Sequence, residues 1–202
     1  GKSFKACLLI HLWFGQALEL GVKRQGDKQA TYEHPSLLRP GAIQIAAPRH
    51  TLRLTWLDKE LKMAGLADYA EIIHSEEDIR HSTKPIWLYS YDLLARQTQD
   101  GKAMLTHNKD ELDPNQKQGY RKKGQNRYFL GRTISRLIAR HYPPKFLIAD
   151  EIHRLRSGTE RTRCFQQIAR RAKRRLGMTG TPMDGWVEHI ATVLGVTYGF
   201  NT

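Results

Sequence analysis

Three short segments carry the side chains able to handle a phosphate group. Gly1, Lys2 and Ser3 stand directly before a long apolar run. Gly-Lys-Ser at a helix start can form the tail of a phosphate-binding loop. Backbone N–H groups cradle the phosphates, the lysine reaches the outer ones, and the hydroxyl ligates Mg2+. Chance also supplies such a triplet, and the upstream part of the loop is not among these residues. Asp150-Glu151-Ile152-His153 follows the apolar run Phe146 to Ala149. A carboxylate pair at the C-terminal end of a parallel strand sits where open α/β sheets bind ligands. There Asp150 can hold Mg2+, usually through water, and Glu151 can polarise a water for attack on a phosphate. The alternative is an ordinary strand-to-helix turn with an acidic cap. Thr179-Gly180-Thr181-Pro182 follows another apolar run, and by itself it reads as a turn.

The elements that must position these groups alternate in type. Ile43 to Ala47, Ile86 to Tyr89, Phe146 to Ala149 and Leu176 to Thr179 are short and apolar on both faces, as buried parallel strands are. Between them lie helical patterns. Phe4 to Leu20 is apolar nearly all round and stops at Gly21, which predicts a buried helix. Leu52 to Ala64 places Leu54, Leu57, Leu61 and Ala64 on one face. Leu130, Ile134, Leu137 and Ile138 mark a third helix, ending before Pro143 and Pro144. Phe165, Ile168, Ala169 and Ala172 mark a fourth, and Val187, Ile190, Ala191 and Leu194 a fifth. Strands alternating with helices predict an α/β domain with a mostly parallel sheet and helices on both faces. Val22 to Gly41 reads as a long surface loop. Gln97 to Gln125, highly charged and almost without aliphatics, reads as an insertion loop, disordered or not.

Composition limits the partners. The 202 residues, 40% of them apolar, suffice for one domain with its own core, or one and a half. The formal net charge is +13, which calls for a polyanionic partner, nucleic acid or an anionic membrane. Ala6 to Leu20 is too short for a membrane span and carries His11, Gln16 and Glu19. Cys7 and Cys164 exclude a disulfide scaffold and fit a reducing compartment. His74, His81, His107 and His141 have no ligand spacing, so no structural zinc is expected, and His11, Trp13 and Trp56 read as core. Nine Lys and Arg against Glu160 fall between Arg154 and Arg175, with Arg163, Arg170, Arg171 and Arg174 facing outward. They are a solvated face, or a contact for nucleic-acid phosphates or an acidic segment. Arg121-Lys122-Lys123 is a smaller cluster on the insertion. The absence of an initiating Met suggests a piece of a longer protein.

Taken in order, the three segments resemble the first RecA-like lobe of superfamily 2 nucleic-acid-dependent ATPases. They are most like the Swi/Snf-type translocases and chromatin remodellers. Gly1, Lys2 and Ser3 match the end of motif I. Ala47-Pro48-Arg49 with Trp56 and Glu60 matches the motif Ia region. Tyr89-Ser90-Tyr91-Asp92 resembles the segment between motifs Ia and II. Asp150 to His153 match motif II in a D-E-x-H form, with Ile152 where the family has Ala. Leu176 to Pro182 match motif III, reading Met178-Thr179-Gly180-Thr181-Pro182 where the family form begins with Leu.

The resemblance implies a three-layer P-loop lobe of a DNA-dependent ATPase, starting within motif I and ending after motif III. ATP and Mg2+ would be its cofactors, and duplex DNA and a second RecA-like lobe its partners. Gly1, Lys2, Ser3, Asp150, Glu151 and His153 would bind nucleotide, Ser3 and Asp150 the metal, and Glu151 would activate water. Thr179, Gly180 and Thr181 would couple nucleotide state to the DNA side. Pro48, Arg49, Ser90 and Tyr91 would lie near a DNA backbone. The second lobe carries an arginine finger, so this stretch alone would be nearly inactive. The protein would be intracellular, and nuclear in a eukaryote. A strand-separating DExH helicase, a restriction-system motor, and a non-catalytic nucleic-acid-binding lobe are the other readings.

Overall fold

Among the described residues, four of five strands grow out of the apolar runs. The computed structural model describes residues 2–10, 12, 39–99, 133–155, 159–180 and 195. Gly1, Thr181, Pro182, the helix expected around Val187 to Leu194 and nearly all of both predicted loops lie outside them. So do Arg121 to Lys123, Leu130 and the helix expected beyond residue 12. The strands are β1 (Ile43–Ala47), β2 (Ala70–Ile72), β3 (Ile86–Ser90), β4 (Phe146–Asp150) and β5 (Arg174–Met178). They form one sheet in the order β2-β3-β1-β4-β5, and every pairing is parallel. β2 was not visible as an apolar run, because Ala70, Glu71 and Ile72 form an edge strand that is only half-buried. β5 starts two residues earlier than expected and leaves Thr179 outside. On this other edge of the described sheet Arg174 stays exposed to solvent while its backbone pairs.

The helices divide between the faces. Helix α1 covers residues 2–10, and α2 runs from Arg49–Thr51 into a π-wound stretch, Leu52–Leu61. Ala6, Cys7, Ile10, Leu52, Trp56 and Leu61 pack with Ile43, Ile45, Ala47, Ile86, Leu88, Phe146 and Ile148 on one side of the sheet. On the other side lie α3 (Glu76–His81), α4 (Tyr91–Leu94), α5 (Ile134–His141) and α6 (Glu160–Ala169). Ile79, Leu93, Ile138, Phe165 and Ile168 pack there with Ala46, Trp87, Tyr89, Leu147 and Ala149. The alternation along each strand thus feeds two cores, and each fully buried aliphatic side chain contributes about 1.5–3 kcal/mol. This is a three-layer α/β arrangement around an all-parallel sheet.

Local chemistry sets the helix ends. Ser75 and Asp78 form a reciprocal capping box at α3, Ser90 caps α4 through the Leu93 N–H, and Thr159 caps α6 through the Thr162 N–H. Two expectations are corrected. Leu54 does not face the core but is 73% exposed. An i→i+5 winding advances more than four residues per turn, so the buried positions become Leu52, Trp56 and Glu60–Leu61. Helix α1 is not buried all round: Ala6, Cys7 and Ile10 are, whereas Phe4, Leu8, Leu9 and Leu12 are exposed. Only a narrow stripe of it reaches the sheet.

Two polar features fix the middle of the sheet. The Gln44 amide, fully buried, donates to the carbonyls of Gly41 at 2.9 Å and Tyr142 at 2.8 Å, and accepts from the Tyr89 hydroxyl at 2.8 Å. Gly41 has φ 63°, and a Cβ there would lie 2.6 Å from the Trp87 ring, so the entry into β1 demands glycine. Gln97 pairs with Thr133 in an isolated antiparallel bridge.

Candidate active site

All strands point their C-terminal ends to the same edge, and the three sequence segments meet there. Helix α1 brings Lys2 and Ser3, β4 brings Asp150 and the turn to Glu151, and β5 delivers Thr179 and Gly180. The Lys2 Nζ lies 3.9 Å from Glu151 Oε1. It also stands where a Cβ on Gly180 would come within 3.0 Å of it, so the small residue leaves room for the lysine tip. His153 follows in a 3-10 turn, Ile152–Leu155, and one ring nitrogen serves two segments. Its Nδ1 is 2.8 Å from the Thr179 hydroxyl and 3.2 Å from Glu151 Oε2.

Glu151 has φ 50°, in the left-handed region. A non-glycine residue there is strained by about 1–2 kcal/mol, a conformation kept where the surroundings over-determine it. The twist turns the chain sharply after β4, and the Glu151 carboxylate contacts both Lys2 and His153.

Asp150 is held from three sides. It is 7% exposed. The Trp56 indole donates to Oδ2 at 3.0 Å, and the Glu151 N–H donates to Oδ1 at 3.0 Å. The Tyr91 hydroxyl donates to the Asp150 carbonyl at 2.6 Å. Burial raises the Asp150 carboxyl above the usual carboxylate range. The indole bond works against that rise, the Glu151 charge adds to it, and the Glu151 N–H and Lys2 oppose it. Burial also holds the Tyr91 phenol well above its ordinary value, with the Asp150 charge adding to the effect, so Tyr91 remains a donor.

Beneath this edge, Cys7 has its thiol pushed up to about 12, first by burial and then by the charge of Glu60. The Cys164 thiol is raised too, mainly by burial. Neither is a thiolate near neutrality, and neither serves as a nucleophile. Glu60 is 8% exposed, and among the described residues its Oε2 has no hydrogen-bond partner.

The residues expected near a polyanion divide. Pro48 and Tyr91 are buried, Ser90 is half-buried and caps α4, and Arg49 is exposed. Arg49 and Arg53 line an open cleft of about 400 Å3 with Leu52, Leu57, Glu71 and His74. The Tyr91 side chain braces the end of β4 instead of facing outward. The apolar-face reading of Trp56 accounts for its burial but not for its N–H. The donor lies 94 residues from its acceptor in the chain, a distance that no local spacing spans. Arg163, Arg170, Arg171 and Arg174 are all exposed, as their positions on and after α6 predict.

The donor set fits a hydrated magnesium ion with a nucleotide. Among the described residues no three His, Cys, Asp or Glu side chains gather as a cage for a metal. Magnesium typically needs only one or two carboxylates, with waters and substrate phosphates completing its shell. Asp150, with each carboxylate oxygen oriented by one donor, has the chemistry such a ligand needs, and Lys2 is a cation near it.

Among the described residues no helix is long and apolar enough to cross a membrane. No family model matches the chain. No curated protein matches it either. Among solved structures it is similar to the Sulfolobus solfataricus SWI2/SNF2 ATPase core in complex with double-stranded DNA. The identity is 14% and the TM-score 0.47, over 88% of this chain and 27% of that one.

Proposed function

We propose that the chain is the ATP-binding lobe of a DNA-dependent ATPase of the Swi/Snf type. With a second lobe it couples hydrolysis to movement on duplex DNA. One observation carries the reading. Lys2, the Glu151–His153 turn and Thr179, from three separate segments, meet at one sheet edge in a chain of contacts, Lys2 to Glu151, Glu151 to His153 and His153 to Thr179.

Each residue has a task in that reading. Gly1, Lys2 and Ser3 hold the phosphates, and Ser3 and Asp150 hold the magnesium ion. Bound magnesium neutralises phosphate charge and orients the nucleotide. Lys2 releases its loose pairing with Glu151 to meet a phosphate, which frees the Glu151 carboxylate to accept a proton from the attacking water. His153 senses that change, because the nitrogen facing Glu151 also faces Thr179. Thr179, Gly180 and Thr181 carry it to the nucleic-acid side. On that side Arg49 is the exposed cation of the Pro48, Arg49, Ser90 and Tyr91 group.

The test is ATP hydrolysis by the longer protein containing this lobe, without nucleic acid and with duplex DNA, single strands or RNA. Duplex stimulation without strand separation is the expected result. Stimulation by single strands or RNA alone would assign a strand-separating helicase. Absence of turnover with tight nucleic-acid binding would assign a non-catalytic lobe.

A further inference from the structure

The opposite edge of the sheet, where the strands begin, gathers cations. Lys145 immediately precedes β4 and Lys173 immediately precedes β5. The register pairs Phe146 with Arg174, so the two lysines are neighbours across the ladder. Their backbones interlock: the Lys173 N–H donates to Pro144 O at 3.2 Å and the Arg174 N–H to Lys145 O at 3.0 Å. Arg39, ahead of β1, donates a guanidinium N–H to the carbonyl of Pro143. Lys84, ahead of β3, accepts the Gly41 N–H at its carbonyl at 3.1 Å and anchors its Nζ on the Asp68 carbonyl at 2.7 Å. Among the described residues none of the four forms an ion pair with a carboxylate. The crowding is physical: burial, Lys173 and Arg39 together lower the affinity of the Lys145 ammonium for its proton.

The order β3-β1-β4-β5 spreads the group along the edge, with Lys84, Lys145 and Lys173 just ahead of their strands and the Arg39 guanidinium, on the Pro143 carbonyl, beside Lys145. Adjacent strands lie about 4.8 Å apart, so Lys84, Arg39, Lys145 and Lys173 cover roughly 15 Å. A strand of B-DNA carries one phosphate per about 3.4 Å of axis, so about four phosphates fall within that length. Exposed Arg171, two residues ahead of Lys173, adds a cation at the β5 end of the row. A line of cations that no described carboxylate neutralises suits a linear polyanion.

We propose that Lys84, Arg39, Lys145 and Lys173 form a second nucleic-acid contact that grips the phosphate backbone of duplex DNA at the edge opposite the nucleotide site. The row is roughly one five-residue strand, about 16 Å, from Glu151. It rests on the reading that this chain acts on nucleic acid, and it lies outside the motifs on which that reading stands.

The experiment compares the 202-residue chain with Lys145→Gln/Lys173→Gln and with a charge-matched control, Lys59→Gln/Lys62→Gln, on exposed positions along and just after α2. Binding of a short duplex DNA is measured across roughly 50–200 mM salt. The expected result is a logarithmic salt slope shallower by about 1.8, with affinity near 100 mM reduced roughly 10- to 100-fold. The control keeps the wild-type slope, and Lys145→Arg/Lys173→Arg restores it. Circular dichroism checks that each variant is folded. An unchanged slope in the folded Gln variant overturns the proposal. So does loss of polyglutamate binding with DNA binding intact, which would assign an acidic protein segment as the occupant. DNA stimulation of ATP hydrolysis is read separately. Its absence alongside the slope change would remove the motor reading and leave the row standing. Stimulation with no slope change would do the reverse.

Discussion

The Trp56 indole N–H donates to Asp150 Oδ2 at 3.0 Å, with both residues buried. This bond ties the π-wound part of α2 to the end of β4. It orients the carboxylate that the proposed mechanism assigns to the metal. It also explains why a large aromatic residue sits under a site built from small and charged groups.

Trp56→Phe keeps most of the apolar volume and removes the donor. We expect a loss of about 1.5–3 kcal/mol at neutral pH, as for other hydrogen bonds to charged groups. The pH dependence has a definite sign. Asp150 is raised in the folded state, so the folded form binds its proton more tightly than the unfolded form. Stability therefore falls as pH rises from the ordinary carboxylate range through the raised value. The variant raises Asp150 further, so its deficit is larger at about pH 7 than at about pH 4. Urea unfolding at the two pH values checks this, and an equal deficit would contradict it.

Glu151→Gln removes the proton acceptor but keeps the side-chain length. ATP turnover by the longer protein should fall at least about 100-fold, with nucleotide binding retained. Single-turnover kinetics and nucleotide titration separate the two quantities. A loss below tenfold would remove Glu151 from the chemistry.

His153 and Thr179 share a contact at 2.8 Å between two segments. A double-mutant cycle with His153→Ala and Thr179→Ala should give a coupling of about 0.5–1.5 kcal/mol in unfolding free energy. Additive losses would mean that the contact is not energetically real.

Gly41 and Gly65 both lie at positive φ, 63° and 69°. Alanine at either incurs the left-handed strain, about 1–2 kcal/mol. Gly65 has open space where a Cβ would go, whereas at Gly41 the Trp87 ring is 2.6 Å away. Gly41→Ala should therefore cost at least ~1 kcal/mol more than Gly65→Ala. Thermal melts of the two variants would show the difference, and equal midpoints would refute it.

Much of the scaffold was legible because buried parallel strands are apolar on both faces. Ile43–Ala47 was read with its observed limits, and β3 and β4 to within one residue. β2 was not legible, since a half-buried edge strand carrying Glu71 has no apolar signature. The outward turn of Leu54 was hidden because a 3.6-residue period does not describe a π-wound helix. In the site, Lys2, Ser3, Asp150, Glu151, His153, Thr179 and Gly180 stood out as motif residues. The Trp56 donor, the Tyr91 brace and the left-handed Glu151 did not, because long-range hydrogen bonds and backbone strain leave no mark on local spacing.

The central position of β1 has a consequence for synthesis on the ribosome. It is the earliest of the described strands, yet it ends between β3 and β4. About 100 residues separate β1 from β4. At about 5–20 residues per second, one side of β1 therefore waits roughly 5–20 s for its partner to be made. During that interval the nascent chain carries an almost wholly apolar strand with one edge unpaired. Its need for a chaperone should depend on how fast the stretch from Gln97 to Thr133 is translated.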